Sequence, residues 1–213
     1  PGHRQLSNTI QKGTLGTIAL TQAQWAYGNR GQEKPAPRPV NSKWWEDPKL
    51  VGAGTWMGSG VHCVDLLRYL LGQEVVEVNA ITDATVDEPL EHLATVLLRF
   101  SRGTLAVVTA GRRIPDSSND VTVYGSHGWG RVSGSLSVDL QGTLELSSQS
   151  VNKHESYGTP NPLALYIEQV EAFNQAVNTG GPPTATGWDG LKVTEVTVAM
   201  VESAKTGQSI QLS

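Results

Sequence analysis

Residues 94–109 read Ala94-Thr95-Val96-Leu97-Leu98-Arg99-Phe100-Ser101-Arg102-Gly103-Thr104-Leu105-Ala106-Val107-Val108-Thr109. Ala94, Val96, Leu98 and Phe100 recur at a period of two, Ser101-Arg102-Gly103 supplies a tight turn, and Leu105, Val107 and Thr109 resume the alternation. That is the pattern of a β-hairpin. A connection so short leaves no room for a helical crossover, so the paired strands run antiparallel. Upstream, Val76, Val78 and Ala80 alternate in a further strand; downstream, Gln141-Gly142 spells a second hairpin turn between Val138-Asp139-Leu140 and Leu144-Glu145-Leu146. From Glu74 to about Leu146 the chain therefore reads as a largely antiparallel sheet.

Both flanks carry helical spacing. Leu6 and Ile10 mark a short helix stopped near Lys12-Gly13, followed by a strand over 17–26. Residues 27–55 form a long irregular segment with prolines at 35, 37, 39 and 48, a length that is often functional or mobile. Val61, Val64, Leu67 and Leu71 make one stripe of a helix over 59–71, ended by Gly72. Leu163, Tyr166, Ile167, Val170, Phe173 and Val177 step by three and four into Gly180-Gly181. A last helix spans 188–205 with Gly207 as its stop, and Ile210 to Leu212 form a terminal strand. Its β-branched run Val193-Thr194 and Val196-Thr197-Val198 suits a strand equally, and length decides for helix.

Helices at the ends and strands between them predict an α+β fold: one open, largely antiparallel β-sheet with helices packed on one face, residues 1–213 forming one domain. The uncovered face is expected to pack against a second copy of the chain.

The chain has 213 residues, 38% hydrophobic, with a formal net charge of -4, which gives no basic stripe for nucleic acid. Cys63 is the single cysteine, so no disulfide or cysteine-based metal cluster forms within the chain, and a cytoplasmic location is expected. No apolar run reaches the roughly 18 to 20 residues a membrane span needs. The start at Pro1-Gly2-His3 reads as a processed product, an expression scar or an excised fragment.

His62 is the leading candidate for chemistry. It opens the apolar helix directly after Gly52-Ala53-Gly54 and Gly58-Ser59-Gly60, where backbone can approach a ligand closely, and Asp65 and Tyr69 share its helix face. An imidazole there can exchange a proton with a substrate hydroxyl near neutral pH. The bland reading is a core histidine satisfied by Asp65 or a carbonyl. Trp44 and Trp45 either stack on a sugar ring or anchor their loop, and Trp25 and Asn29, near the end of the first strand, are placed to line a pocket. His92, His127 and His154 lack partners at ligand spacing, so no metal site is expected. Arg112-Arg113 reads as a solvated pair before an anion site, and Asp189 as a helix N-cap.

The segment Trp44-Trp45-Glu46-Asp47-Pro48, followed by Gly52-Ala53-Gly54-Thr55-Trp56-Met57-Gly58-Ser59-Gly60-Val61-His62-Cys63-Val64-Asp65 and the helix to Gly72, resembles a motif of the glucose-fructose oxidoreductase/inositol dehydrogenase/MocA family. The stretches from Arg4 to Gly16 and from Phe173 to Leu212, with Gly187-Trp188-Asp189-Gly190 and Ser203-Ala204-Lys205-Thr206-Gly207, resemble its entry and closing helices. The resemblance implies the C-terminal, substrate-binding and oligomerising domain of such an enzyme, and it assigns His62 the family's proton-transfer role. It also implies NAD or NADP for the full-length parent, a sugar or polyol as substrate, and a homodimer or higher homo-oligomer.

Three departures stand out. No GxGxxG follows a strand, so no Rossmann domain and no cofactor-binding residue is expected here. Glu33-Lys34-Pro35 spells the family's lysine motif but lies downstream of the entry helix, and is read as coincidence. The aspartate expected four residues before the histidine is Gly58. The chain alone is thus expected to be inactive; the rival reading is a non-catalytic carbohydrate-binding or scaffold module derived from the same family.

Overall fold

The computed structural model describes residues 1–28, 39–115, 119–136, 141–158, 161 and 163–213. Asn29, Glu33-Lys34-Pro35 and Val138-Asp139-Leu140 lie outside the described residues. In chain order the elements are α1 (Gly2–Gln11), β1 (Ile18–Gly28), a 3-10 helix (Val40–Glu46), α2 (Pro48–Val51), and a π turn (Trp56–Gly60) running directly into α3 (Val61–Leu71). Strands β2 (Val75–Thr82), β3 (Leu93–Phe100), β4 (Leu105–Pro115), β5 (Val121–Gly125), β6 (Gly128–Ser133), β7 (Gln141–Ser148) and β8 (Asn152–Gly158) follow. Helices α4 (Ala164–Thr179) and α5 (Gly187–Thr206) and the short β9 (Ile210–Gln211) complete the chain.

The strands form one open sheet in the order β8-β7-β6-β5-β1-β4-β3-β2-β9. The α+β class holds, and so does the largely antiparallel character, with one exception: β1 and β4 run parallel, Leu20 opposite Leu105 and Gln24 opposite Thr109. Alternation is the same for either direction of pairing, so the exception is set by chain order, β4 returning to β1 after the β2-β3 hairpin has been laid beside it. The hairpin over 94–109 forms as read, with Val96 opposite Val108.

The second hairpin is a correction. Gln141 and Gly142 are not a turn but paired strand residues, opposite Gly158 and Tyr157 of β8. The preceding connection begins instead at Gly134, whose φ of 70° lies in the left-handed region.

Helices α1, α3 and α5 cover one face of the sheet, over β6-β7, β1 and β2 respectively. Leu6, Val64, Leu67, Leu70, Phe100 and Met200 are sealed there in one core. Gly72 ends α3 at φ 57°, its N–H donating to the Arg68 carbonyl at 2.8 Å. Arg68, its side chain 6% exposed, locks the helix in place. Its Nε and Nη2 donate to the two oxygens of Glu74 at 2.7 and 2.8 Å, and Nη1 reaches Asp189 at 3.3 Å. Charge-assisted bonds of this kind hold the start of β2, α3 and the first turn of α5 in one arrangement. Asp189 is not the N-cap of α5: Thr186 is, and Asp189 at the third helical position completes a capping box with it.

Helix α4 differs from the rest. It has no buried residue, and Tyr166, Val170, Phe173 and Val177 along its apolar stripe are 57–65% exposed. Among the described residues no helix covers the outer sheet face. Register places Leu105 of β4, Leu20 of β1, Tyr124 of β5 and Trp129 of β6 in one row across four strands.

Candidate functional site

The site begins with Glu91, a carboxylate 4% exposed in the run before β3. Its two oxygens accept the backbone N–H groups of Gly54 at 2.7 Å and Trp56 at 2.8 Å, and its own carbonyl accepts that of Thr55 at 2.8 Å. Three consecutive amides ahead of α3 are thus held by one residue. Gly54 fits because a Cβ there would come within 2.1 Å of the Glu91 carbonyl oxygen. Trp56 is fully buried, donates from Nε1 to Thr197 of α5 at 3.2 Å, and lies over Gly60, where a Cβ would overlap its ring. The glycines flanking the π turn serve this close packing, and the clamped turn fixes the direction in which α3 starts.

From that start α3 divides cleanly. Cys63, Val64, Leu67, Arg68, Leu70 and Leu71 are buried, whereas His62, Asp65 and Tyr69 share the open face. His62 is exposed and is not the sealed core histidine of the bland reading. Its ring lies 5.3 Å from that of Trp25 at an interplanar angle of 40°, so β1 and α3 bring an imidazole and an indole edge together. Among the described residues no hydrogen bond engages its ring nitrogens, which leaves them open to a ligand. Burial pushes the Asp65 carboxyl up, as does Asp189, against the opposing pull of Arg68 and His62. Arg68 sits 3.6 Å from Asp65, so that carboxylate is shared between the helix scaffold and the open face.

Tyr27, two residues after Trp25 on β1, extends the same wall. Its hydroxyl accepts from Arg112 Nε at 2.9 Å and from Thr55 Oγ1 at 3.3 Å. Arg113 turns away to Asp83 at 3.0 Å and Glu88 at 3.3 Å, so the two neighbouring arginines play different parts.

The structure therefore groups His62, Trp25 and Asp65. Trp44 and Trp45 lie against one another in the 3-10 helix, 4.7 Å apart at 30°. Glu91 and Tyr27 were not singled out as site residues in the sequence, and the Arg112-Arg113 pair was read as solvated ahead of an anion site. Among the described residues no group of three or more His, Cys, Asp or Glu is placed to hold a metal ion, and no helix is long and apolar enough to cross a membrane. Among the described residues no glycine-rich turn joins a strand directly to a helix N-terminus.

The family model "GFO/IDH/MocA C-terminal domain" matches residues 3–131, and the chain belongs to that family. Myo-inositol 2-dehydrogenase of Thermotoga maritima is 26% identical over 98% of this chain and 60% of its own length. The 1,5-anhydro-D-fructose reductase of Ensifer adhaerens is also 26% identical, over 99% of this chain and 60% of its own. The crystal structure of aldose-aldose oxidoreductase from Caulobacter crescentus, complexed with glycerol, superposes with a TM-score of 0.81 at 22% identity. That match covers 99% of this chain and 60% of the other, and shows the shared fold. The chain thus spans about 60% of the length of these relatives.

Proposed function

We propose that residues 1–213 are the substrate-binding and oligomerisation domain of an NAD(P)-dependent oxidoreductase acting on a sugar, polyol or related hydroxy compound. The observation that carries this reading is the open imidazole of His62 against Trp25, on a helix whose start is fixed by Glu91. Hydride chemistry belongs to a dinucleotide held by a further domain. This chain's share is to bind and orient the substrate, with the indole of Trp25 as an apolar wall and the His62 ring taking up the hydroxyl proton as the carbonyl forms. The exposed stripe of α4, with Tyr166, Ile167, Val170, Phe173 and Val177 at 46–65% exposure, supports a second body docked beside this domain.

Gly58 supports a second reading, a non-catalytic carbohydrate-binding or scaffold module, since the carboxylate the family pattern places one turn before the histidine is missing. A complete protein that binds a sugar yet shows no NAD(H)-dependent turnover would establish it.

The assembly part of the proposal is tested by sedimentation. The chain is expected to run as a dimer or larger through the outer sheet face, and Leu97→Glu with Leu105→Glu, both on that face and 52% and 44% exposed, is expected to give a monomer. A wild-type monomer at high concentration, or an oligomer indifferent to the double change, would overturn it. In the same samples NADH fluorescence is expected to be unchanged by the chain, and micromolar binding would contradict the assignment of the dinucleotide to another domain.

A further inference from the structure

Beside Gly58 the chain places a positive charge. A Cβ on Gly58 would lie 2.9 Å from Tyr27 Oη and 3.9 Å from Arg112 Nη2, so the phenol and the guanidinium occupy the edge of the space an acidic side chain would fill. Gly58 stands one turn before His62, and Tyr27 stands two residues beyond the Trp25 that touches it. The pair is therefore part of the same wall.

Its bonding is incomplete in a way that points to a ligand. Tyr27 Oη already accepts two hydrogen bonds, from Arg112 and Thr55, which leaves its own proton as a donor. Arg112 spends Nε on that hydroxyl and stacks over the ring at 5.7 Å, while its Nη groups form no ion pair with a carboxylate among the described residues. Arg113, by contrast, is neutralised twice. A fixed guanidinium edge beside an O–H donor matches a planar carboxylate, which can take two parallel N–H bonds and a third from the phenol.

We infer that Arg112 and Tyr27, converging on the side-chain-free position of Gly58, form a carboxylate subsite, so that the hydroxy compound presented to His62 is a sugar acid and not a neutral sugar. The inference rests on His62 marking the substrate site. An aspartate at 58 would repel such a substrate and pair with Arg112, whereas glycine leaves the guanidinium free for it.

The test follows the His62 imidazole C–H signals by NMR while the chain is titrated with D-glucuronate, D-glucose and D-glucose 6-phosphate. Glucuronate is expected to bind about tenfold more tightly than glucose, the discrimination a charge-assisted contact gives. Arg112→Gln and Gly58→Asp, the second supplying an internal carboxylate to the guanidinium, are each expected to remove the preference while glucose binding persists. Equal affinity for glucuronate and glucose in the wild type, or a preference that survives both variants, would overturn the subsite and leave the His62 site standing. Tighter binding of the phosphate ester would overturn the carboxylate assignment. If no probe moves the His62 signals, the subsite and the reading it rests on both fail.

Discussion

Replacing His62 by asparagine is expected to lower kcat of the complete, dinucleotide-bearing protein by roughly 10²- to 10⁴-fold, the usual range for losing a positioned proton acceptor. Asparagine keeps a polar side chain of similar reach but cannot take up a proton. Because His62 is exposed and no described hydrogen bond depends on it, the fold and KM are expected to change little. A loss confined to KM would make His62 a binding residue only. Unchanged kcat and KM would remove it from the mechanism.

The second large effect is on the scaffold. Glu91→Ala leaves the amides of Gly54 and Trp56 unsatisfied in a region where Gly54, Thr55 and Trp56 are all buried. Two bonds to a charged acceptor are lost together with the packing of the turn, a cost of about 3 kcal/mol. For a chain of this size that corresponds to a fall in Tm of roughly 6–12 °C. Glu91→Gln retains one acceptor but sets an NH2 group against the other amide, so an intermediate loss is expected. Thermal unfolding of the two variants measures both. An alanine variant as stable as the wild type would mean that the glycine-rich turn holds its shape without the carboxylate.

The helix over 59–71 and the 94–109 hairpin were legible because apolar period and glycine stops agree there: Leu67 and Leu71 with Gly72, Val96 and Val108 across Gly103. Strand β8 was not, because Asn152–Gly158 is polar along its length and has no buried residue, as an edge strand permits. Gln141-Gly142 misled for a physical reason. Gly142 is required by close approach, its Cβ position lying 2.8 Å from the Ser133 carbonyl oxygen, and not by a turn. Glycine has both uses, and a sequence does not distinguish them.

In the site, His62, Asp65 and Trp25 were visible from helix phase and strand position. Glu91 was not, since it sits in an acidic, proline-bearing stretch typical of surface loops while its partners lie 35 and 37 residues away. Tyr27 and Arg112 are 85 residues apart and meet only because β4 lies beside β1, the parallel pairing that no local pattern announces.

Central to the proposed function is an imidazole that stands open in this chain and that substrate and a dinucleotide-bearing domain are expected to enclose. Carbethoxylation of His62 by diethyl pyrocarbonate, followed by peptide mass spectrometry that separates it from His3, His92, His127 and His154, measures this directly. The account predicts rapid labelling of the isolated chain, and a rate roughly tenfold slower in the complete protein at about ten times the Kd of substrate and NAD(P)H. Equal rates in the two states would contradict it.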